Sequence, residues 1–169
     1  MLCTSSEANK LLKKLNNDYK NLEHAEMQSS SFLAATGEDI ESIRPSYDYA
    51  KTQKELKALA LKIRTVKHAI NVFNTNTVIK DFDMTIDEML VFLPQLTNRV
   101  YTLEEMKQAL PKAREKSYGI GTNTTIDYRY ANYDIEMAAK DYDEAYDLLT
   151  RAQTALDTVN NTLQFEIDI

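Results

Sequence analysis

The side chains in this sequence best suited to holding a ligand are tyrosines and arginines. Six of the ten tyrosines fall between Tyr118 and Tyr146, with Arg114 and Arg129 nearby. Phenol and guanidinium groups combine flat contact area with hydrogen-bond donors, the composition of many binding surfaces. Arg114, Tyr118, Tyr128, Arg129 and Tyr133 are therefore the candidate ligand-binding residues, in a Tyr/Arg-rich region over 114–133. That role requires them to converge on a concave pocket. The competing expectation puts Tyr128 and Tyr130 on the buried face of a strand and Tyr142 in a helix seam.

Other reactive residues lack the neighbours their chemistry needs. A ferritin-like metal centre requires Glu-x-x-His on two helices. The residues three before His24 and His68 are Asn21 and Thr65, so both histidines read as solvated helix residues. Asp81-Phe82-Asp83-Met84-Thr85-Ile86-Asp87 spaces oxygen ligands like a calcium loop, but Ile86 stands where glycine is needed and Phe92 where the bidentate glutamate belongs. It reads as a polar turn followed by a helix cap. Gly119-Ile120-Gly121-Thr122 lacks both the third glycine of a dinucleotide fingerprint and the Lys-Ser/Thr of a phosphate loop, and reads as a turn. Cys3 is the only cysteine, so it forms no internal disulfide, and it is expected in a loose chain terminus. Asp141, Asp143 and Glu144 read as a solvated face, and Asp147 with Arg151 as an i, i+4 ion pair. No catalytic residue, metal ligand or cofactor is assigned, and an enzyme is not expected.

Composition limits the remaining choices. A chain of 169 residues fits one domain. Three glycines and three prolines, with abundant Lys, Glu, Leu and Ala, favour long helices. The net charge of −6 and the lack of a basic run argue against a nucleic-acid partner, since such binding depends on Lys and Arg neutralising phosphates. No stretch of apolar residues is long enough to span a membrane, and the first residues lack the apolar run of a signal peptide. A cytoplasmic location is expected.

The elements that must position these residues are helices with heptad seams. The first starts at the capping box Thr4-Ser5-Ser6-Glu7 and carries Leu12, Leu15, Tyr19, Leu22, Glu26, Ser29 and Leu33 on its seam. A loop over 37–46 follows. The second begins near Asp48; its seam alternates Tyr49, Leu56, Ile63, Ile70 with Thr52, Leu59, Val66, Phe73. It should stop in Asn74-Thr75-Asn76-Thr77, where asparagine tolerates the left-handed conformation. Val78-Ile79 then reads as extended. A second capping box, Thr85-Ile86-Asp87-Glu88, opens the third helix, with seam residues Ile86, Met89, Leu93, Leu96, Val100, Leu103 and Leu110. Pro94 should kink this helix without ending it, because the seam continues in phase.

Residues 125–130 alternate as a short strand, and Asn132 is placed to cap the fourth helix. That helix interleaves Ile135, Tyr142, Leu149, Leu156 with Ala138, Ala145, Ala152, Val159. Small residues on one row predict a close helix–helix approach. The second and fourth helices echo one another: each ends in Asn and Thr before an extended segment. Residues 163–169 alternate strictly and predict a half-buried strand. In an up-down-up-down bundle that strand lands near 77–80, so it should pair there or with another protomer.

The run Ile63-Arg64-Thr65-Val66-Lys67-His68-Ala69-Ile70-Asn71-Val72-Phe73-Asn74-Thr75-Asn76, followed by Met84-Thr85-Ile86-Asp87-Glu88-Met89-Leu90, resembles the septicolysin-like family of bacterial proteins. The likeness extends over nearly the whole chain. It implies a small helical bacterial protein of uncharacterised activity. The family name implies a cytolysin, but the sequence shows no secretion signal or membrane-active segment, and no functional residue transfers.

The expected architecture is a mainly α, antiparallel four-helix bundle with coiled-coil-like hairpins and short β segments, one domain over 1–169. The expected function is a non-enzymatic bundle acting through protein contacts, as a homo-oligomer or with a protein partner. A small-ligand binder using 114–133 is the alternative, and a membrane-lytic protein a second.

Overall fold

The computed structural model describes residues 1–115 and 127–169. The chain is mainly helical with short antiparallel strands. In order, the elements are β1 (Leu2–Thr4), α1 (Ser5–Ser29), α2 (Ile40–Ile43), α3 (Tyr49–Asn76), β2 (Val78–Ile79), β3 (Met84–Thr85), α4 (Ile86–Gln108), β4 (Lys112–Arg114), β5 (Tyr128–Tyr130), α5 (Ile135–Thr162) and β6 (Gln164–Glu166). They divide into two compact units, Met1–Thr77 with Thr158–Ile169, and Val78–Asp157.

The first unit is an antiparallel pair of helices closed by a ribbon. The expected capping box forms at the start of α1, and Asp48, near the expected start of the second long helix, caps α3. Thr4 Oγ1 accepts from Glu7 N, and Thr4 N donates to Glu7 Oε2 at 2.9 Å. Asp48 accepts from Lys51 N at the start of α3. The apolar rows then meet: Ala8 and Leu15 of α1 pack with Val66 and Ile70 of α3. Leu33 lies beyond the end of α1 at Ser29 and is exposed, so the seam stops earlier than its pattern suggests. Glu26, a poor seam residue, is used as a polar bridge instead. It accepts from Tyr47 Oη and Gln53 Nε2, both at 2.7 Å, and ties the end of α1 to the entry of α3.

The last strand pairs with the first strand of the same chain and not with 77–80. β6 pairs antiparallel with β1, in the register Leu2–Glu166, Cys3–Phe165, Thr4–Gln164. Ile167 N donates to Met1 O at 2.8 Å and extends the ladder. Alternation then sends Phe165 and Ile167 inward. Ile167 is fully buried with Cys3, Ala8 and Leu15, and Phe165 stacks on Phe73 with ring centroids 4.4 Å apart. Cys3 is therefore a core residue at 3% exposure and not part of a loose terminus.

The helix ends also differ from expectation. α3 runs through Asn76 and passes directly into extended backbone at Thr77, with φ −95° and ψ 117°. Among the described residues only Asp83 has positive φ outside glycine, at 50°. Side chains in the last turn of α3 instead fold back onto carbonyls one turn earlier. Thr75 Oγ1 donates to Asn71 O at 3.0 Å and Asn76 Nδ2 to Val72 O at 2.8 Å. Thr162 Oγ1 does the same for Thr158 O at the end of α5. The two helices thus share a threonine back-bond, not a left-handed asparagine.

In the second unit, β2 and β3 form a tight antiparallel ribbon whose turn includes Asp83. The acidic run around Asp81 is thus a turn leading into the α4 cap. Thr85 and Glu88 form that capping box, with Thr85 N donating to Glu88 Oε2 at 2.7 Å. α4 continues through Pro94 and buries Ile86, Met89, Leu96, Val100 and Leu103, all seam positions. Leu110 lies past its end and is exposed. Leu96 and Val100 pack with Leu149 of α5, flanked by Phe92, Tyr142 and Ala145. α5 starts two residues later than Asn132 suggests. Asp134 is the cap: its Oδ1 accepts from Glu136 N and Met137 N, and its carbonyl accepts from Ala138 N. All eight expected seam positions of α5 are buried or half-buried. β5 pairs with β4, whose three residues alone carry too little pattern to reveal a strand.

Candidate functional site

The β4–β5 ribbon carries three of the five residues singled out for chemistry: Arg114, Tyr128 and Arg129. Its register sets Lys112 opposite Tyr130, Ala113 opposite Arg129 and Arg114 opposite Tyr128. Successive side chains alternate, so Lys112, Arg114, Tyr128 and Tyr130 share one face and Arg129 takes the other. Lys112 Nζ lies over the Tyr128 ring at 4.1 Å and the Tyr130 ring at 5.4 Å. Arg129 Nε donates to Glu115 Oε2 at 2.8 Å, which holds the Glu115 carboxyl below its ordinary range. Tyr133 Oη donates to Met106 O at 2.9 Å, tying the start of α5 to the end of α4. Tyr118 lies outside the described residues. The ribbon brings Arg114 and Tyr128 together, while Arg129 and Tyr133 turn to partners of their own. Tyr128 and Tyr130 are exposed, so they do not form the buried face of a strand. Tyr142 does sit in the α5 seam. Burial raises its phenol pKa, and Lys107 Nζ lies 3.2 Å from its ring centroid.

Arg151 also departs from its expected pairing. The guanidinium lies over the Phe82 ring at 5.9 Å, and the ion pairs among the described residues are Arg44–Glu41 and Arg129–Glu115. His24 accepts or donates at 3.0 Å with Gln28, one turn away. No group of three or more metal-ligating side chains occurs among the described residues, and no described helix is long and apolar enough to cross a membrane.

A concave site lies elsewhere, on the α1–α3 pair. A groove of about 510 Å³ is lined by Asn16 and Tyr19 from α1, and by Ala60, Ile63, Arg64, Lys67, His68 and Asn71 from α3. Its volume falls within the roughly 300–1,000 Å³ usual for small-molecule sites. Ala60, Ile63 and the Tyr19 ring supply the apolar wall. Asn16 is fixed by donating its amide to Leu12 O at 2.8 Å, which leaves its carbonyl oxygen as an acceptor. Glu23, one turn beyond Tyr19, raises the phenol pKa through its charge. No carboxylate lines the groove.

The cations of this groove escape a search for basic runs because they are spaced at the helix period. Lys57, Ala60, Arg64, Lys67 and Asn71 follow one another by three or four residues and so share a flank of α3. α3 as a whole carries six Lys and Arg against Glu55 alone, a net +5 in a chain of net −6. A second groove, about 260 Å³, is lined by Leu96, Arg99 and Leu103 of α4 and by Asp141, Glu144 and Leu148 of α5.

Over its length the chain is similar to a functionally unknown conserved protein from Corynebacterium diphtheriae, known from a crystal structure. The two are 16% identical, the likeness covers 98% of this chain and 100% of that one, and the TM-score is 0.61. The fold is shared at that level. No protein-family model and no curated protein matches the chain.

Proposed function

We propose that the chain is a non-enzymatic helical-bundle protein that acts through protein contacts, with a second copy of itself or with another protein. One observation carries this reading. α4 presents Leu90, Val91, Pro94 and Tyr101 on the side opposite its buried row of Met89, Leu96, Val100 and Leu103. Leu90 is 47% exposed, Val91 59% and Tyr101 64%. Contiguous apolar side chains on an outer helix face mark contact surfaces more often than single exposed ones do. The dispersal of Arg129 and Tyr133 onto structural partners also weighs against a catalytic cluster on the ribbon. Each unit supplies an antiparallel pair of long helices, which supports the four-helix bundle as the architecture of this reading. The septicolysin-like resemblance and a cytoplasmic location belong to the same proposal.

Light scattering across a concentration series tests it, with analysis of proteins that co-purify from the native cell. The expected result is a mass above the 19.4 kDa of one chain, or a defined stoichiometric partner. Replacing Leu90 and Val91 together by Glu should abolish either one while helix content stays unchanged. A mass of one chain at every concentration, with nothing bound, would sink the proposal.

A further inference from the structure

We propose that the groove between α1 and α3 binds an amphipathic carboxylate: a single anionic head on an apolar body of medium length. The head would lie against Arg64 and Lys67. The body would lie along Ala60, Ile63 and the face of Tyr19. Four features of the groove select this chemistry.

The first is charge. Arg64 and Lys67 stand one turn apart on the same flank of α3, and neither takes part in an ion pair among the described residues. In a chain of net −6, a cavity edged by cations and lined by no carboxylate is selective for an anion. The second is geometry at the head. The planar fork of Arg64 can hold a carboxylate through two parallel hydrogen bonds, and Lys67 adds a point charge beside it. The third is the wall. Ala60 is the smallest residue on this flank, and its position leaves the space between the helices open beside Ile63. A fully polar ligand would leave Ile63 and the Tyr19 ring facing water. An apolar body removes that surface from water, at roughly 25 cal/mol per Å². The fourth is that the polar groups are few and placed at the edge. The Asn71 amide can donate a hydrogen bond to the head without competing for the tail. This site is separate from the α4 face, so it stands or falls independently of the protein-contact reading.

Sodium decanoate is the probe, followed by amide chemical shifts in an NMR titration of the full chain. Decanol supplies the same tail without the charge, and acetate the same head without the tail. The expected result is saturable shifts with decanoate, centred on residues 16–23 and 60–71, and at least tenfold weaker binding of decanol and acetate. Replacing Arg64 and Lys67 together by Gln should weaken decanoate tenfold or more. Both sites are exposed and Gln is a good helix former, so folding is retained. Ala60→Leu keeps every charge but fills the groove, and should also abolish the shifts. Three outcomes would overturn the proposal: equal binding of decanol, which makes the site merely greasy; equal binding of acetate, which makes it a surface cation pair; or decanoate shifts that survive both variants.

Discussion

Replacing Ile167 by Ala tests how the chain closes on itself. Ile167 is 0% exposed and packs with Cys3, Ala8, Leu15, Val66 and Ile70, all in the first unit. Its side chain reaches that core only because β6 pairs with β1 in the observed register. Truncating a fully buried isoleucine loses transfer energy and leaves a cavity; the usual range is 2–5 kcal/mol, and about 3 kcal/mol is expected for a site walled by aliphatic side chains on several elements. For a chain of this size that lowers Tm by roughly 6–12 °C. Ile169, two residues on, is 50% exposed, so Ile169→Ala should change stability by less than about 0.5 kcal/mol. Urea unfolding followed by circular dichroism measures both. Cys3 is an independent reporter, because burial shields its thiol and pushes its pKa up. Maleimide labelling of Cys3 should be slow in the native protein and should accelerate on the order of a hundredfold in Ile167→Ala, as opening becomes easier. A cost below about 1 kcal/mol, or one equal to that of Ile169→Ala, would refute the β1–β6 closure.

Two further outcomes test helix starts. Asp134→Ala should cost about 1 kcal/mol in urea unfolding, because it removes the acceptor for two backbone donors, whereas Asn132→Ala should be near neutral. Glu88 supplies a pH test. Backbone and side-chain hydrogen bonds from Thr85 lower its pKa below the ordinary 4.5. A group whose folded pKa is depressed contributes stability above its unfolded pKa and loses it as pH falls through the folded one. The stability difference between the native chain and Glu88→Gln should therefore be full at neutral pH and should shrink on acidification below about 4.5. A difference that is flat from neutral pH into strong acid would show that the capping box is not formed.

The starts and buried rows of the helices were legible in the sequence because they are local. A capping box is written within four residues, and Thr4-Glu7 and Thr85-Glu88 both form as read. A helical seam repeats over many turns, so single errors average out; every seam position of α5 faces inward to some degree. Where local signals compete, the reading slips. Asn132 and Asp134 are both acceptable caps, and Asp134 wins by reaching two amides at once. Of the site candidates, Arg114 and Tyr128 were placed in one region by composition, and the ribbon sets them opposite one another. Composition could not show that Arg129 would turn to Glu115 and Tyr133 to Met106, since each partner is chosen by how the chain comes together.

The sequence by itself determined the long helices, the two capping boxes, the rows the helices bury and an alternating strand near the last residues; it did not reveal β1, β3, β4 or the short helix α2 within the expected loop 37–46. Tertiary structure alone decided what that strand pairs with. β1 is three residues long, and nothing in three residues says that they will be met by a strand more than 150 positions away. Pairing of this kind is settled by which ends the packed helices bring together. The groove followed the same rule. Arg64 and Lys67 lie on one flank of α3 in any helical reading, but they edge a cavity only once Asn16 and Tyr19 of α1 close its other side.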